Sequence, residues 1–188
     1  MKRSQRAAVL TLLNREMLKR GSWCGETHIQ KATFFLQELL GVDTGFDFIL
    51  YRHGPFSFDL RDELSSMQAD ELLELTIRRE GYGPTYVPTS FSETYLERFP
   101  KTTARFIRQI ELISDELSDQ GVAELERLAT ALFIANREEI SGVEERAQRL
   151  VELKPHISPT DARSACEQID RLMRKSRPFR VAEESMAS

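Results

Sequence analysis

The segment from Phe46 to Met67, FDFILYRHGPFSFDLRDELSSM, constrains the fold more than any other part of the chain. Its first residues are aromatic and β-branched, which favours a strand that ends before Gly54-Pro55. Apolar residues then recur at helical spacing up to Met67. The pattern predicts a strand over 46–51 that leads into a helix across a seven-residue turn, Tyr51 to Ser57, with Ser57 or a neighbour as the helix cap.

Helical periodicity dominates the rest of the chain. Apolar stripes predict two helices before the strand, over about 4–19 and 26–40, and only helices after Pro88. In between, Leu73–Arg78 alternates apolar and polar residues, and a turn cluster with two glycines leads to a short return strand, Thr85–Val87. This predicts a two-stranded antiparallel ribbon that follows a helix, which is the outline of a winged helix.

These patterns predict a mainly α fold with a small antiparallel β-sheet. A winged-helix-like region with the small sheet covers residues 1–90, and a helical region over 91–176 packs on it. We expect the two to form one continuous domain, because no flexible linker composition separates them. Residues 177–188 are predicted to be a flexible tail.

Composition bounds the class of protein. Of the 188 residues, 40% are hydrophobic and 30% are charged, which is typical of a soluble globular protein. No apolar run is long enough to cross a bilayer, so we expect no membrane partner. The two cysteines, Cys24 and Cys166, lie far apart in the sequence, which favours a reducing compartment over a disulfide framework. The expected location is cytoplasmic.

The residues that most often carry chemistry are few and dispersed. Cys24 and His28 are of metal-ligand type and Glu26 would add a third ligand, but a structural zinc site needs four. We therefore predict no metal and no cofactor. The histidines His28, His53 and His156 fall on three separate predicted elements, and no catalytic motif accompanies them. The sequence predicts a protein that is not an enzyme.

The turn before the third helix is the best candidate site. Arg52 and His53 lie next to a predicted helix start, where backbone N–H groups attract anions. A structural interpretation accounts for the same residues, since Gly54 permits an awkward turn, Pro55 presets the helical φ and Ser57 caps the helix. Both interpretations stay open at this point.

Charge on the helix before the ribbon argues against a conventional DNA reader. Residues 57–71 contain five acidic side chains and one arginine. A helix in the major groove faces phosphates on both sides, so an acidic helix there is repelled. An acidic face instead suits a basic protein partner, and exposed aromatic residues would anchor it, unless these pack in the core. The candidate interaction residues are Arg52, His53, Ser57, Asp59, Asp62, Glu63, Tyr82 and Tyr86.

Nucleic acid remains the alternative partner. Basic residues concentrate in the first helix and again near the end of the chain, although the net charge is −4. Local basic clusters suffice for binding to phosphates in some proteins. In this alternative, the DNA contacts would come from terminal segments, with Arg171, Arg174 and Lys175 as the candidate residues.

Four segments carry a resemblance to a known family. His28–Gln37 looks like the "LQK" helix of the YwgA-like and Panacea (SocA-like antitoxin) proteins, and Tyr51–Ser57 resembles their "YGP-(F/Y)-S" turn. Leu128–Thr130 and Lys154–His156 are similar to later segments of the YwgA-like group. The sequence departs from the pattern at Arg52-His53, because many relatives keep the aromatic residue next to the glycine.

The resemblance implies a mostly helical fold with a small winged-helix-like sheet. Some Panacea members resemble antitoxins or protease adaptors. Together with the acidic face, this gives the expected function: a non-enzymatic protein-interaction module that is antitoxin-like, an adaptor or a regulator. The partner would be another protein, with a DNA-binding regulator as the alternative.

Overall fold

The computed structural model describes residues 1–138 and 140–181. The fold is mainly α with a small content of antiparallel sheet, as the sequence predicts, and the strands form two two-stranded sheets. Eight α-helices lie in the described part of the chain: α1 (Arg3–Lys19), α2 (Glu26–Glu38), α3 (Phe58–Ala69), α4 (Ser90–Glu97), α5 (Pro100–Leu117), α6 (Val122–Arg137), α7 (Val143–Leu153) and α8 (Pro159–Ser176).

The turn before α3 is a β-hairpin and not the seven-residue loop expected from the sequence. Strand β1 (Ile49–Tyr51) pairs with β2 (Gly54–Phe56), and Tyr51 lies opposite Gly54. The two-residue connection is therefore Arg52-His53. Gly54 has a φ of +81°, which a residue without a Cβ adopts at little cost, so the chain reverses within two residues. Strands of three residues are too short to show a periodic pattern in the sequence.

The cap and the ribbon that were predicted on either side of α3 are confirmed. The hydroxyl of Ser57 accepts a hydrogen bond from the Leu60 N–H at 3.2 Å, which caps α3. Strands β3 (Leu73–Thr76) and β4 (Thr85–Pro88) form an antiparallel ribbon after that helix. Tyr86 ties the ribbon to the body, because its N–H donates to the carbonyl of Cys24 at 2.9 Å.

Helix α2 occupies the centre of the fold. Nine consecutive residues, 28–36, are buried, so this helix is enclosed on all sides. It packs against α5 and α6, and the buried apolar residues of both halves of the chain form one cluster. A helix enclosed in this way buries its polar side chains too, and buried polar groups need hydrogen-bond partners. The hydrogen-bond partner of Lys31 lies in the hairpin, and the partner of Gln30 is Ser57, the residue directly after it.

The described end of the chain lies against the body. Arg177–Phe179 forms a 3-10 turn, and the Phe179 carbonyl accepts a hydrogen bond from Gln109 Nε2 at 2.8 Å. The N–H of Val181 donates to the carbonyl of Leu40 at 2.8 Å. The rest of the predicted tail, 182–188, lies outside the described residues. Within the described ranges, no helix is both long and apolar enough to cross a membrane.

Candidate functional site

Gln30, a buried residue of α2, binds the backbone at the end of the hairpin on its buried side. Its side-chain amide donates to the Ser57 carbonyl at 2.8 Å, and its carbonyl oxygen accepts from the Ser57 N–H at 2.9 Å. Both partners are fully buried. The paired hydrogen bonds satisfy the backbone where β2 gives way to α3, so they set the orientation of that helix.

Lys31, the next residue of α2, holds β2. Its Nζ donates to the carbonyl of Pro55 at 2.8 Å, and the side chain is only 1% exposed. Burial disfavours the charged form and lowers the pKa of Lys31 to about 8, although the carboxylate of Glu126 opposes the change. This lysine is the most strongly perturbed cation of the site.

Lys154 holds the other strand and the loop. It follows the last residue of α7, is buried, and donates to the carbonyls of Tyr51, at 2.7 Å, and Arg52. Its Nζ also lies 3.4 Å from a carboxylate oxygen of Glu126. Two buried lysines from distant parts of the chain therefore bind three carbonyl groups of the hairpin, those of Tyr51, Arg52 and Pro55.

Glu126 of α6 supplies the counter-charge for this group of cations. Its carboxylate is 7% exposed and lies 3.4 Å from His53 Nδ1 and, through its other oxygen, 3.4 Å from His156 Nε2. The two imidazoles are largely exposed and stand at the surface above it. We call Lys31, His53, Glu126, Lys154 and His156 the Glu126 cluster.

The Glu126 cluster is built to hold a loop. Its ammonium groups are occupied by backbone carbonyls, and the hydroxyl of Thr130 donates to the Glu126 carbonyl at 2.7 Å. The nearby Ser57 hydroxyl serves as the cap of α3. Among the described residues, no group of three or more His, Cys, Asp or Glu side chains could hold a metal ion. The structural interpretation of the Arg52–Ser57 turn therefore accounts for the contacts of Gly54, Pro55 and Ser57.

Gly54 is the point where the hairpin approaches α6 most closely. A Cβ at this position would lie 3.0 Å from Thr130 Oγ1 and 3.3 Å from the Glu126 carbonyl. Gly81 provides a matched control, since it has the same φ of +81° but nothing within 4 Å of a Cβ.

We expect Gly54→Ala to lower the free energy of unfolding by about 1 kcal/mol more than Gly81→Ala does, because only the first substitution adds a clash to the backbone strain. Urea unfolding of both variants measures the difference. Equal losses would contradict the close approach of β2 to α6.

The outer side of the hairpin carries apolar side chains. Ile49, Tyr51 and Phe58 are 45%, 44% and 40% exposed. The rings of Tyr51, Phe56 and Phe58 lie within 5.2 to 5.8 Å of one another, so they form one aromatic group. Exposed acids of the first turns of α3 border this group. We call this surface the hairpin face; its residues are Ile49, Tyr51, Phe56, Phe58, Asp59 and Asp62.

Three predicted interaction residues are not available on the surface, and the first of them, Ser57, is fully buried as the cap of α3. Glu63 is buried and pairs with Arg3 at 3.1 Å and Arg6 at 3.2 Å, so its assignment to an exposed acidic face is wrong. The reason is that α1 packs close enough to α3 to neutralise this acid. Tyr86 is only 8% exposed because β4 lies against the body, so it belongs to the core.

The other predicted interaction residues are exposed but do not form one surface. Asp59 and Asp62 lie on the hairpin face, and Arg52 and His53 form the hairpin loop. Tyr82 is 54% exposed in the ribbon turn, where it contacts Trp23 instead.

The basic segments predicted for DNA binding are largely ion-paired. In the first helix and its C-terminal cap, acidic residues of α1, α3, α4 and α5 contact the basic side chains. The paired basic residues are Arg3, Arg6, Arg15, Lys19 and Arg20. In the last helix Lys175 pairs with Glu116, whereas Arg171 and Arg174 are exposed.

Four residues of the site, Gln30, Lys31, Glu126 and Lys154, were not predicted from the sequence. In α2, Gln30 and Lys31 lie between Ile29 and Ala32 of the apolar stripe, so the periodicity places them on the outward side of the helix and does not indicate their burial. The four segments of the family resemblance also meet here. They contribute Lys31, the hairpin, Thr130 and Lys154 to one site.

Comparison with known protein families finds no family model that matches the chain. A search of curated proteins also finds no match. The resemblance to YwgA-like and Panacea proteins therefore stays a prediction, as does the winged-helix-like description of the first 90 residues.

Proposed function

We propose that the protein is a non-enzymatic protein-interaction module and that the hairpin face is its contact surface. The observation that carries the proposal is the clustering of Ile49, Tyr51 and Phe58, each at least 40% exposed, on one hairpin and the helix start beside it. Contiguous exposed apolar groups mark interaction sites more often than scattered ones do. Aromatic side chains are also favoured at the energetic centres of interfaces.

The hairpin face is preorganised by the contacts beneath it. Gln30, Lys31 and Lys154 hold the backbone of the hairpin through hydrogen bonds of 2.7 to 2.9 Å. A surface that is already ordered loses little conformational entropy when a partner binds. This gives the Glu126 cluster a role in recognition without direct contact to the partner.

The border of the hairpin face indicates a basic partner. Asp59 and Asp62 are exposed at the start of α3, and Arg61 lies both over the ring of Phe58 at 5.1 Å and 3.9 Å from Asp62. Acidic groups at the rim of an interface steer a basic partner and raise its association rate. The resemblance favours an antitoxin-like, adaptor or regulatory role for such a module.

The proposal is tested by capturing partners from an extract of the source cells with immobilised protein. We expect Tyr51→Ala/Phe58→Ala to reduce capture of a basic protein by at least about tenfold, because aromatic anchors contribute about 2 kcal/mol each. Leu75→Ala/Ile77→Ala is the matched control, since these residues are 46% and 75% exposed on the ribbon. Asp59→Lys/Asp62→Lys should weaken capture at low salt.

Quantitative mass spectrometry of the captured proteins measures these effects. Capture that survives the loss of both aromatic rings, or that falls equally in the control pair, would exclude the hairpin face. For the DNA-binding alternative, the basic residues of α1 are already paired with acids of the same chain, so its support comes from Arg171 and Arg174, which are exposed on α8.

A further inference from the structure

A cavity of about 490 Å³ lies where the loop before α2 meets the turn of the β3–β4 ribbon and the start of α6. None of the residues described as lining it belongs to the hairpin face or to the Glu126 cluster. The side chains that matter for its chemistry are Trp23, Glu26, His28, Tyr82 and Tyr86.

Two aromatic rings form one wall of the cavity. The ring centroids of Trp23 and Tyr82 are 5.3 Å apart, and the indole N–H of Trp23 donates to the Gly83 carbonyl at 3.0 Å. That bond fixes the indole and uses its one donor. The guanidinium of Arg79 already lies 4.7 Å from the Tyr82 centroid, which shows that this ring accepts a cation.

The polar atoms of the cavity are acceptors that lack a donor. Among the described residues, neither Glu26 Oε1 nor His28 Nδ1 has a hydrogen-bond partner, and both atoms are buried. His28 is only 5% exposed, so its unpartnered nitrogen is costly. Burial lowers the pKa of His28, and the ring interacts with the Gln120 backbone. The neutral imidazole with its hydrogen on Nε2 presents Nδ1 as an acceptor.

The lining of the cavity carries charge of one sign, and the guanidinium of Arg79 lies beside its Tyr82 ring. Glu26 is the only side chain with a full charge among the residues described as lining it. The start of α2 contributes the opposite sign, but a helix N-terminus amounts to only about +0.5 of an elementary charge. A carboxylate outweighs it, so the cavity favours a cation over an anion.

We propose that this cavity binds a small organic cation, with an amidinium, guanidinium or ammonium group on a flat apolar body. The charged group donates to Glu26 Oε1 and His28 Nδ1, which satisfies both buried acceptors through charge-assisted bonds. The apolar body lies against Trp23 and Tyr82. This inference does not depend on the proposed protein-binding function, since it uses different residues.

Three ligands of nearly the same shape test the proposal on the intact chain. Benzamidine carries the cation, benzamide is its neutral analogue and benzoate its anionic one. Trp23 is the single tryptophan of the protein, so its fluorescence and its indole N–H resonance report directly on the cavity. We expect saturable binding of benzamidine, at least about tenfold weaker binding of benzamide, and no response to benzoate.

Variants assign the response to the cavity. Glu26→Gln should weaken benzamidine binding at least about tenfold, and Tyr82→Ala should weaken it as well. Tyr82 is largely exposed, so its loss leaves the fold intact. Glu93→Gln is the matched control, since Glu93 also lies in the first turn of a helix but pairs with Arg15. The absence of a saturable benzamidine response, equal binding of all three ligands, or unchanged affinity in Glu26→Gln would each overturn the proposal.

Discussion

Replacing Glu126 with alanine is expected to lower the free energy of unfolding by about 3–5 kcal/mol, the usual cost of removing one partner of a buried ion pair. The carboxylate is 7% exposed and lies 3.4 Å from the ammonium of Lys154, which is equally buried. It is also the main electrostatic support for the charged form of Lys31. Without it, the two buried ammonium groups repel each other and keep backbone carbonyls as their hydrogen-bond partners, with only the weaker effect of Glu26 on Lys31 in support.

The control for this prediction lies one half-turn away on the same helix. Glu124 pairs with Arg127, but both side chains are more than a quarter exposed. Glu124→Ala should therefore cost no more than about 1 kcal/mol, as exposed ion pairs do. Urea unfolding of the two variants, followed by circular dichroism, gives the comparison. Similar losses at both positions would mean that the Glu126 cluster does not support the hairpin.

Glu126→Ala and Glu124→Ala can also be compared in the partner-capture experiment, which tests the hairpin face. If the Glu126 cluster preorganises that face, Glu126→Ala should weaken partner capture although Glu126 does not lie on the outer surface. Glu124→Ala should leave capture unchanged. A loss of stability without any loss of capture would limit the cluster to a structural role.

The fold class could be predicted from the sequence because its signals are local. Helix stripes, the Ser57 cap and the alternating ribbon strands each depend on a few neighbouring residues, and the structure has all of them. The hairpin was missed because β1 and β2 have three residues each, and their pairing depends on contacts with α2 and α6. A proline in β2 also argues for a turn unless the strand lies at an edge.

The candidate site was only partly predictable, since burial and ion pairing are tertiary properties. In the sequence, nothing distinguishes Glu63 from the exposed acids of α3. Only the folded structure places Arg3 and Arg6 of α1 beside it. In the sequence, Lys31 resembles any surface lysine. It is buried because the fold encloses α2 on all sides. Tyr51 and Phe58 are apolar residues of the kind that usually lie in a core. They are exposed because the hairpin and the start of α3 place their rings on the outer surface.

The stability of the protein should rise with pH above about 8 because of Lys31. Its pKa in the folded chain is about 8, below the ordinary value of 10.5, because burial disfavours the charge. Between these two values the unfolded chain binds more protons than the folded chain, so deprotonation favours folding. Relative to Lys31→Met, the wild-type protein should gain about 2 kcal/mol of unfolding free energy between pH 8 and 10.

Urea unfolding at several pH values measures this difference, and other groups cancel because both proteins contain them. The two buried cysteines, whose pKa values are raised to about 11, act in the opposite direction at higher pH but do so equally in both. The loss of the hydrogen bond to Pro55 in Lys31→Met adds only a constant offset. Lys175→Met provides a flat control, since Glu116 raises the pKa of Lys175 above its ordinary value of 10.5 and its difference from wild type should stay nearly constant between pH 8 and 10. A difference between wild type and Lys31→Met that stays constant up to pH 10 would show that Lys31 keeps its charge, and that the hairpin is held by a permanent cation.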